Sequence, residues 1–460
     1  MLWKSRPQPY QLSVAAPSAA DEGGGSMPLS NRCLHVVSLS MKDKLQMSAI
    51  DPIKKIKLEQ EGQYLHNELI ETISKSIMDN LIYLANKDIF STLGGELTYN
   101  FPLDGAPNAR AIVYTKKPNF PVIEIRLSLL REIYRDSFIF PILGRRIVNE
   151  IENFRLINEV DMFHGQPFIF ENAFPEINEK LVGNPLLIYV KYFSKILKEK
   201  GEDRISENDV RCRFLIFELM LTWTFFHELS HIIQGHHRLS PNEDEGKAEK
   251  LEISEMDSSD NPQANVPAQA KEVLADLEAV DLLLNHLQST KRLNYVSLYL
   301  MFCSTSLMFQ RFYNNYQENL DLTTGKHPHP VIRDDYIHNF TLDWISNYMI
   351  NKKIVEKRDE VGPPLAYFSV RASLLTGLIR ANRIENFDGT ALPSYMNLSS
   401  RKYHAQKIAY QALLKNEIKY FIKKIKPIHL RNENSMDMIE TSIDNTPTIR
   451  EKYAHHDSQR

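Results

Sequence analysis

Apolar residues recur at helical spacing over residues 65–90, "LHNELIETISKSIMDNLIYLANKDIF", and predict an amphipathic helix. The period then changes. "ARAIVYT" and "PVIEIRLS" are β-branched runs separated by "KKPNF", which predicts a hairpin near residues 111–128. Beyond it helical patterning dominates. "RCRFLIFELMLTWTFFHELSHIIQ" (211–234) reads as one long helix stopped by Gly235. "KEVLADLEAVDLLLNHLQ" reads as another, and "LNYVSLYLMFCSTSLMF" (293–309) as a buried core helix. Residues 400–426 predict a basic amphipathic helix, whose charged face meets solvent or serves as a docking surface. The expected fold class is α+β, mainly helical, with a small antiparallel sheet.

Three stretches break the pattern. Residues 1–50 are rich in Ser, Ala, Pro and Gly and predict disorder. Residues 240–270 are polar, acidic and nearly free of aromatics, which predicts a mobile loop. Residues 431–460 are polar and predict a flexible tail. One domain over residues 51–430 is expected between them.

Composition narrows the class. Of 460 residues, 43% are hydrophobic and 25% charged, the balance of an ordinary globular protein with a large core. A net charge of -3 gives no electrostatic reason to expect nucleic acid or an anionic membrane as partner. The run at 293–309 is diluted by Asn, Ser and Thr and is short for a bilayer, so no membrane span is predicted. Cys33, Cys212 and Cys303 are odd in number and far apart, which excludes a disulfide framework and fits a reducing, cytoplasmic setting.

The chemistry sits at the end of the longest apolar helix. "FFHELSHIIQGHH" (225–237) holds four histidines and a glutamate, and such groups are expensive to bury without partners. His227-Glu228-Leu229-Ser230-His231 is an HExxH sequence. Residues four apart share a helix face, so both imidazoles can grip one Zn²⁺. Glu228 can then take the proton of a water that zinc has acidified. A third ligand is needed, and two candidates stand open. Glu272 lies in an ExxADxxA pattern (Glu272, Ala275, Asp276, Ala279), where Asp276 can fix the tautomer of a ligand imidazole. His237 has the spacing of the third histidine of HExxHxxGxxH, but Gln234 stands where that pattern needs Gly. His236 and His237 are therefore expected to be exposed past the helix end.

His227, Glu228, His231, Glu272 and Asp276 together resemble the gluzincin metallopeptidases, whose signature is HExxH followed by ExxxD. The ExxADxxA form looks most like the HtpX and CAAX prenyl protease group, and a soluble relative similar to the phage-exclusion peptidases is a further possibility. That group also carries a His-Pro followed by an Arg, here His327-Pro328 and Arg333. The resemblance implies a zincin-like peptidase domain and a protein or peptide substrate. It also implies oxyanion stabilisation by His327 or Arg333, and a substrate strand laid along a sheet edge near residues 111–128. Those relatives span membranes, and this chain shows no such segment. The reading of a different class is a non-catalytic zinc-binding regulatory or interaction protein.

Overall fold

A computed structural model of the chain describes residues 67–103, 105–150, 207–239, 250–254, 262–312, 327–353, 355–382, 401–431 and 433–446. Its elements run α1 (Asn67–Ala85), β1 (Thr98–Asn100), β2 (Ala109–Tyr114), β3 (Lys117–Ile125), α2 (Leu127–Glu150), α3 (Glu207–Ile233), β4 (Lys250–Ser254), α4 (Pro262–Ser289), α5 (Tyr295–Phe312), α6 (Pro330–Asn351), α7 (Arg358–Asn382), α8 (Arg401–Ile425) and α9 (Glu433–Asn445). The described chain is mainly helical with one small sheet, an α+β arrangement. Among the described residues no helix is long and apolar enough to cross a membrane. The N-terminal segment expected to be disordered lies outside the described residues.

The centre of the fold is α3. From Cys212 to His236 every residue except Glu218 is buried. The helix packs against α1, α2, α4 and α5 and against β2 and β3, so it has no face left for water. Its small hydroxyls are satisfied internally: Thr224 donates to the Met220 carbonyl at 2.8 Å and Ser230 to that of Phe226 at 2.6 Å. Glu218, the one carboxylate in the apolar run, accepts from both ends of the Arg292 guanidinium at 2.5 and 2.6 Å. That partner explains why it is tolerated there.

The sheet has the order β1-β3-β2-β4 and is mixed, not antiparallel throughout, because β1 pairs parallel with β3. The expected hairpin is present but tighter, turning at Thr115 and Lys116 with β3 already under way at Lys117. Pro118 falls where the register shifts between the pairs of Ile112 and Tyr114, a place where a residue without an N–H is tolerated.

Two expectations are corrected here. The acidic stretch is not a loop throughout. "KLEIS" alternates apolar and polar positions, and as β4 it pairs antiparallel with β2 from Arg110↔Ser254 to Tyr114↔Lys250. Residues 262–270 belong to α4, opened by Pro262, whose fixed φ suits a first helical turn. The sheet edges are therefore β1 and β4. The β2–β3 hairpin is interior and offers no edge.

The C-terminal stretch is likewise ordered where described. Met436, Ile439 and Ile443 form a short buried stripe on α9, which packs against α4, α6 and α8. The basic helix forms as α8, burying Leu414, Ile418, Ile422 and Ile425 while it packs on α4.

Candidate metal centre

Two helices build the centre. α3 supplies His227 and His231, one turn apart, and α4 supplies Glu272 and Asp276, also one turn apart. The helices lie against each other. Ala275 and Ala279 are buried without exposure, and Gln234 at the end of α3 donates its amide to the Leu274 carbonyl at 2.9 Å. Small side chains and a side chain-to-backbone bond thus fix the spacing of the two faces.

Two imidazole nitrogens and the two oxygens of one carboxylate converge. His227 Nε2 is 3.2 Å from His231 Nε2 and 3.3 Å from Glu272 Oε2, and His231 Nε2 is 3.4 Å from Glu272 Oε1. All three residues are buried, and among the described residues they form the group that could hold a metal ion.

The surroundings set protons and charges. His227 Nδ1 lies 2.9 Å from Asp276 Oδ1, so in its neutral form the proton belongs on Nδ1 and Nε2 is the atom that can bind a metal. Arg333 holds Asp276 with Nε to Oδ2 at 2.7 Å and Nη2 to Oδ1 at 2.8 Å. The same guanidinium stacks 4.1 Å over the Phe309 ring. Burial alone would raise the Asp276 pKa, but the Arg333 charge and hydrogen bond hold it below the ordinary value. Burial works against protonation of His227 too, yet Asp276 and Glu272 carry that imidazole well above its usual range. Burial pushes His231 down to about 3, which keeps it neutral. Burial opposes ionisation of Glu272, but the imidazoles around it, with hydrogen bonds from His227 and His327, hold its carboxyl well below the ordinary value.

The remaining sequence-derived residues fall as follows. Glu228 is fully buried on α3 next to His227. His327, ahead of α6, brings Nδ1 to 3.3 Å from Glu272 Oε2 and keeps some exposure. Arg333, expected at an oxyanion, instead has its guanidinium engaged with Asp276 behind His227. His237 stands outside the cluster, half-buried, its pKa lowered to about 4 by burial and the Arg238 charge.

His236 was expected at the surface and is buried. Gly235 adopts φ 63°, ψ 32°, the left-handed turn that ends α3. That turn folds His236 back beneath the helix, with its Nδ1 2.7 Å from His231 Nδ1. A Cβ at Gly235 would come within 2.8 Å of the Ile428 terminal methyl, which can move aside, so it is the positive φ that calls for glycine.

A strap from the C-terminal part completes the frame. Leu430 N–H donates to the Ile233 carbonyl at 3.0 Å, capping α3. Its neighbours grip α4: His429 lies 3.2 Å from Glu278, Ser435 donates to it at 3.1 Å, and Arg431 bonds both Glu278 and, at 3.0 Å, Asp281. One segment therefore ties the end of the HExxH helix to the helix carrying Glu272. Comparison with protein-family models, with curated proteins and with solved structures finds no match to this chain.

Proposed function

We propose that the protein is a zinc-dependent metallopeptidase of the gluzincin type, with His227, His231 and Glu272 as ligands and Glu228 as general base. The observation that supports this most is the approach of three buried side chains: the two imidazole Nε2 atoms are 3.2 Å apart, and His227 and His231 lie 3.3 and 3.4 Å from Oε2 and Oε1 of the one Glu272 carboxylate. Donors at about 2.0–2.1 Å from a tetrahedral zinc stand about 3.3–3.4 Å apart. His231 presents a neutral lone pair here, while the raised pKa of His227 places a proton between its Nε2 and the Glu272 carboxylate. A cation would take that proton's place and add the His231 lone pair, which is the physical case for the fit.

When bound, zinc supplies a Lewis acid and brings the pKa of water toward neutrality. The protein's own groups do the rest. Asp276 holds the His227 tautomer, and Arg333 keeps Asp276 ionised. Glu228 accepts the proton of the attacking water and delivers it to the leaving amine. His327, at the rim beside Glu272, is the side chain available to a developing oxyanion. Arg333 acts through Asp276 and is a positioning residue. The substrate class is protein or peptide.

The full burial of His227 and Glu228 favours one second reading, a closed structural zinc in a non-catalytic regulatory protein. Metal analysis with a peptide-library cleavage assay separates the two. Wild type is expected to hold one zinc and cleave, and Glu228→Gln to hold zinc and not cleave. Zinc-loaded wild type that cleaves nothing would favour the structural reading.

A further inference from the structure

A second imidazole stands behind His231. His236 Nδ1 is 2.7 Å from His231 Nδ1, the rings meeting at 71°. At that distance the two nitrogens share one proton, and its position decides what His231 can do. With the proton on His236, His231 must carry its own on Nε2, against His227 Nε2 at 3.2 Å, and no ligand lone pair is left. With the proton on His231, its Nε2 is a free donor atom. We propose that His236 is a positioning residue of the metal centre: it accepts the Nδ1 proton of His231 and thereby fixes the tautomer that turns the His231 Nε2 lone pair toward His227 and Glu272. The inference rests on the metallopeptidase reading above and deepens it.

Two further observations bear on it. His236 is 3% exposed, and accepting at Nδ1 leaves its own proton on Nε2, which has no hydrogen-bond partner among the described residues, so the Nδ1 contact is the one that holds the ring. A buried imidazole satisfied at Nδ1 alone is held there by what that atom touches. The two ligand histidines are also supported differently. His227 leans on a carboxylate that Arg333 neutralises, whereas His231 leans on a neutral ring. Neither support adds net negative charge, so among the three ligands Glu272 is the anion that would offset a divalent cation. Such a centre stays electropositive, which favours ionisation of bound water.

The test compares His236→Ala, His236→Asn and His236→Gln in the full chain. Asparagine carries its acceptor oxygen near the place of Nδ1, while glutamine carries it one bond further out. Zinc affinity is read by chelator competition, and the ligand field by the visible spectrum of the Co²⁺-substituted protein. His236→Ala and His236→Gln are expected to weaken zinc by roughly 10–100-fold and to alter the cobalt spectrum, with His236→Asn within about threefold of wild type. Wild-type affinity and spectrum in all three variants would overturn the inference and leave the metal reading standing. Equal weakening in the Asn and Gln variants, with an unchanged cobalt spectrum, would show a packing role and also overturn it. Wild type that takes up no zinc would remove the metal reading, and this one with it.

Discussion

Arg333 on α6 holds Asp276 on α4 by two hydrogen bonds, and Asp276 reaches on to His227 on α3, so three helices meet through one buried carboxylate. Both members of the ion pair are 1% exposed. Removing one leaves the other's charge buried without compensation, which costs about 3–5 kcal/mol. Arg333→Met is expected to lose stability of that order in urea unfolding. Asp276→Asn, which keeps the volume, is expected to lower zinc affinity roughly 10–100-fold. An Arg333→Met protein as stable as wild type would show that the pair does not hold α6 in place.

The third ligand can be decided by metal content. Glu272→Ala removes the anionic donor from the three-residue cluster, whereas His237 lies outside it. Glu272→Ala is expected to be purified with little zinc, and His237→Ala with nearly one per chain. The reverse pattern would mean that the centre follows the three-histidine motif.

A second buried carboxylate predicts a pH dependence away from the centre. Burial raises Asp334 to about 7, against Ser306 and Ser373, which donate to it at 3.1 and 3.0 Å. The folded pKa lies above the unfolded value, so the folded state binds the extra proton. Its stabilising effect is full below about pH 4 and is lost as pH rises through 7. Over that window the group contributes a slope of up to about 1.4 kcal/mol per pH unit. Asp334→Asn preserves an acceptor for both serines and is expected to flatten that part of the wild-type profile. Urea unfolding at pH 5, 6, 7 and 8 checks this; parallel profiles for the two proteins would refute it.

The strap makes a prediction of its own. Burial opposes ionisation of Glu278, but Arg431 and His429 hold its pKa at about 2. That stabilisation is present at neutral pH and lost as pH falls from about 4 toward 2. Arg431→Ala leaves Glu278 and Asp281 without their guanidinium. Because the Arg431 side chain is 22% exposed, the loss is expected near or below the lower end of the buried-pair range, about 2–3 kcal/mol. Thermal melts at pH 7 measure it, and a Tm within one degree of wild type would count against the strap.

What could be read from the sequence was local. The HExxH helix, its stop at Gly235 and the shared face of Glu272 and Asp276 follow from periods of three to four residues. The β2–β3 hairpin follows from a period of two. β4 was hidden because five alternating residues were averaged into an acidic stretch. α9 was hidden because its stripe of Met436, Ile439 and Ile443 is diluted by polar neighbours. His236 was misplaced because its burial depends on the direction of a left-handed turn. Arg333 stood at a recognisable spacing from His327, but its partner, Asp276, belongs to another helix and only the fold introduces them. Glu218 and Arg292 are a pair of the same kind.

The strap also sets an order in time. A ribosome extends the chain from its N-terminal end, so α3 and α4 are made well before the segment that caps Ile233 and grips Glu278. Until Leu430 and Arg431 emerge, the end of α3 has an unsatisfied carbonyl and α4 carries a carboxylate with no cation. Until then the two helices are held together by their own packing and by the Gln234–Leu274 hydrogen bond. A nascent chain therefore carries the histidines and glutamates of the centre before the strap that braces their helices. The last brace shared by α3 and α4 is thus added late in synthesis, after every residue of the centre has been made.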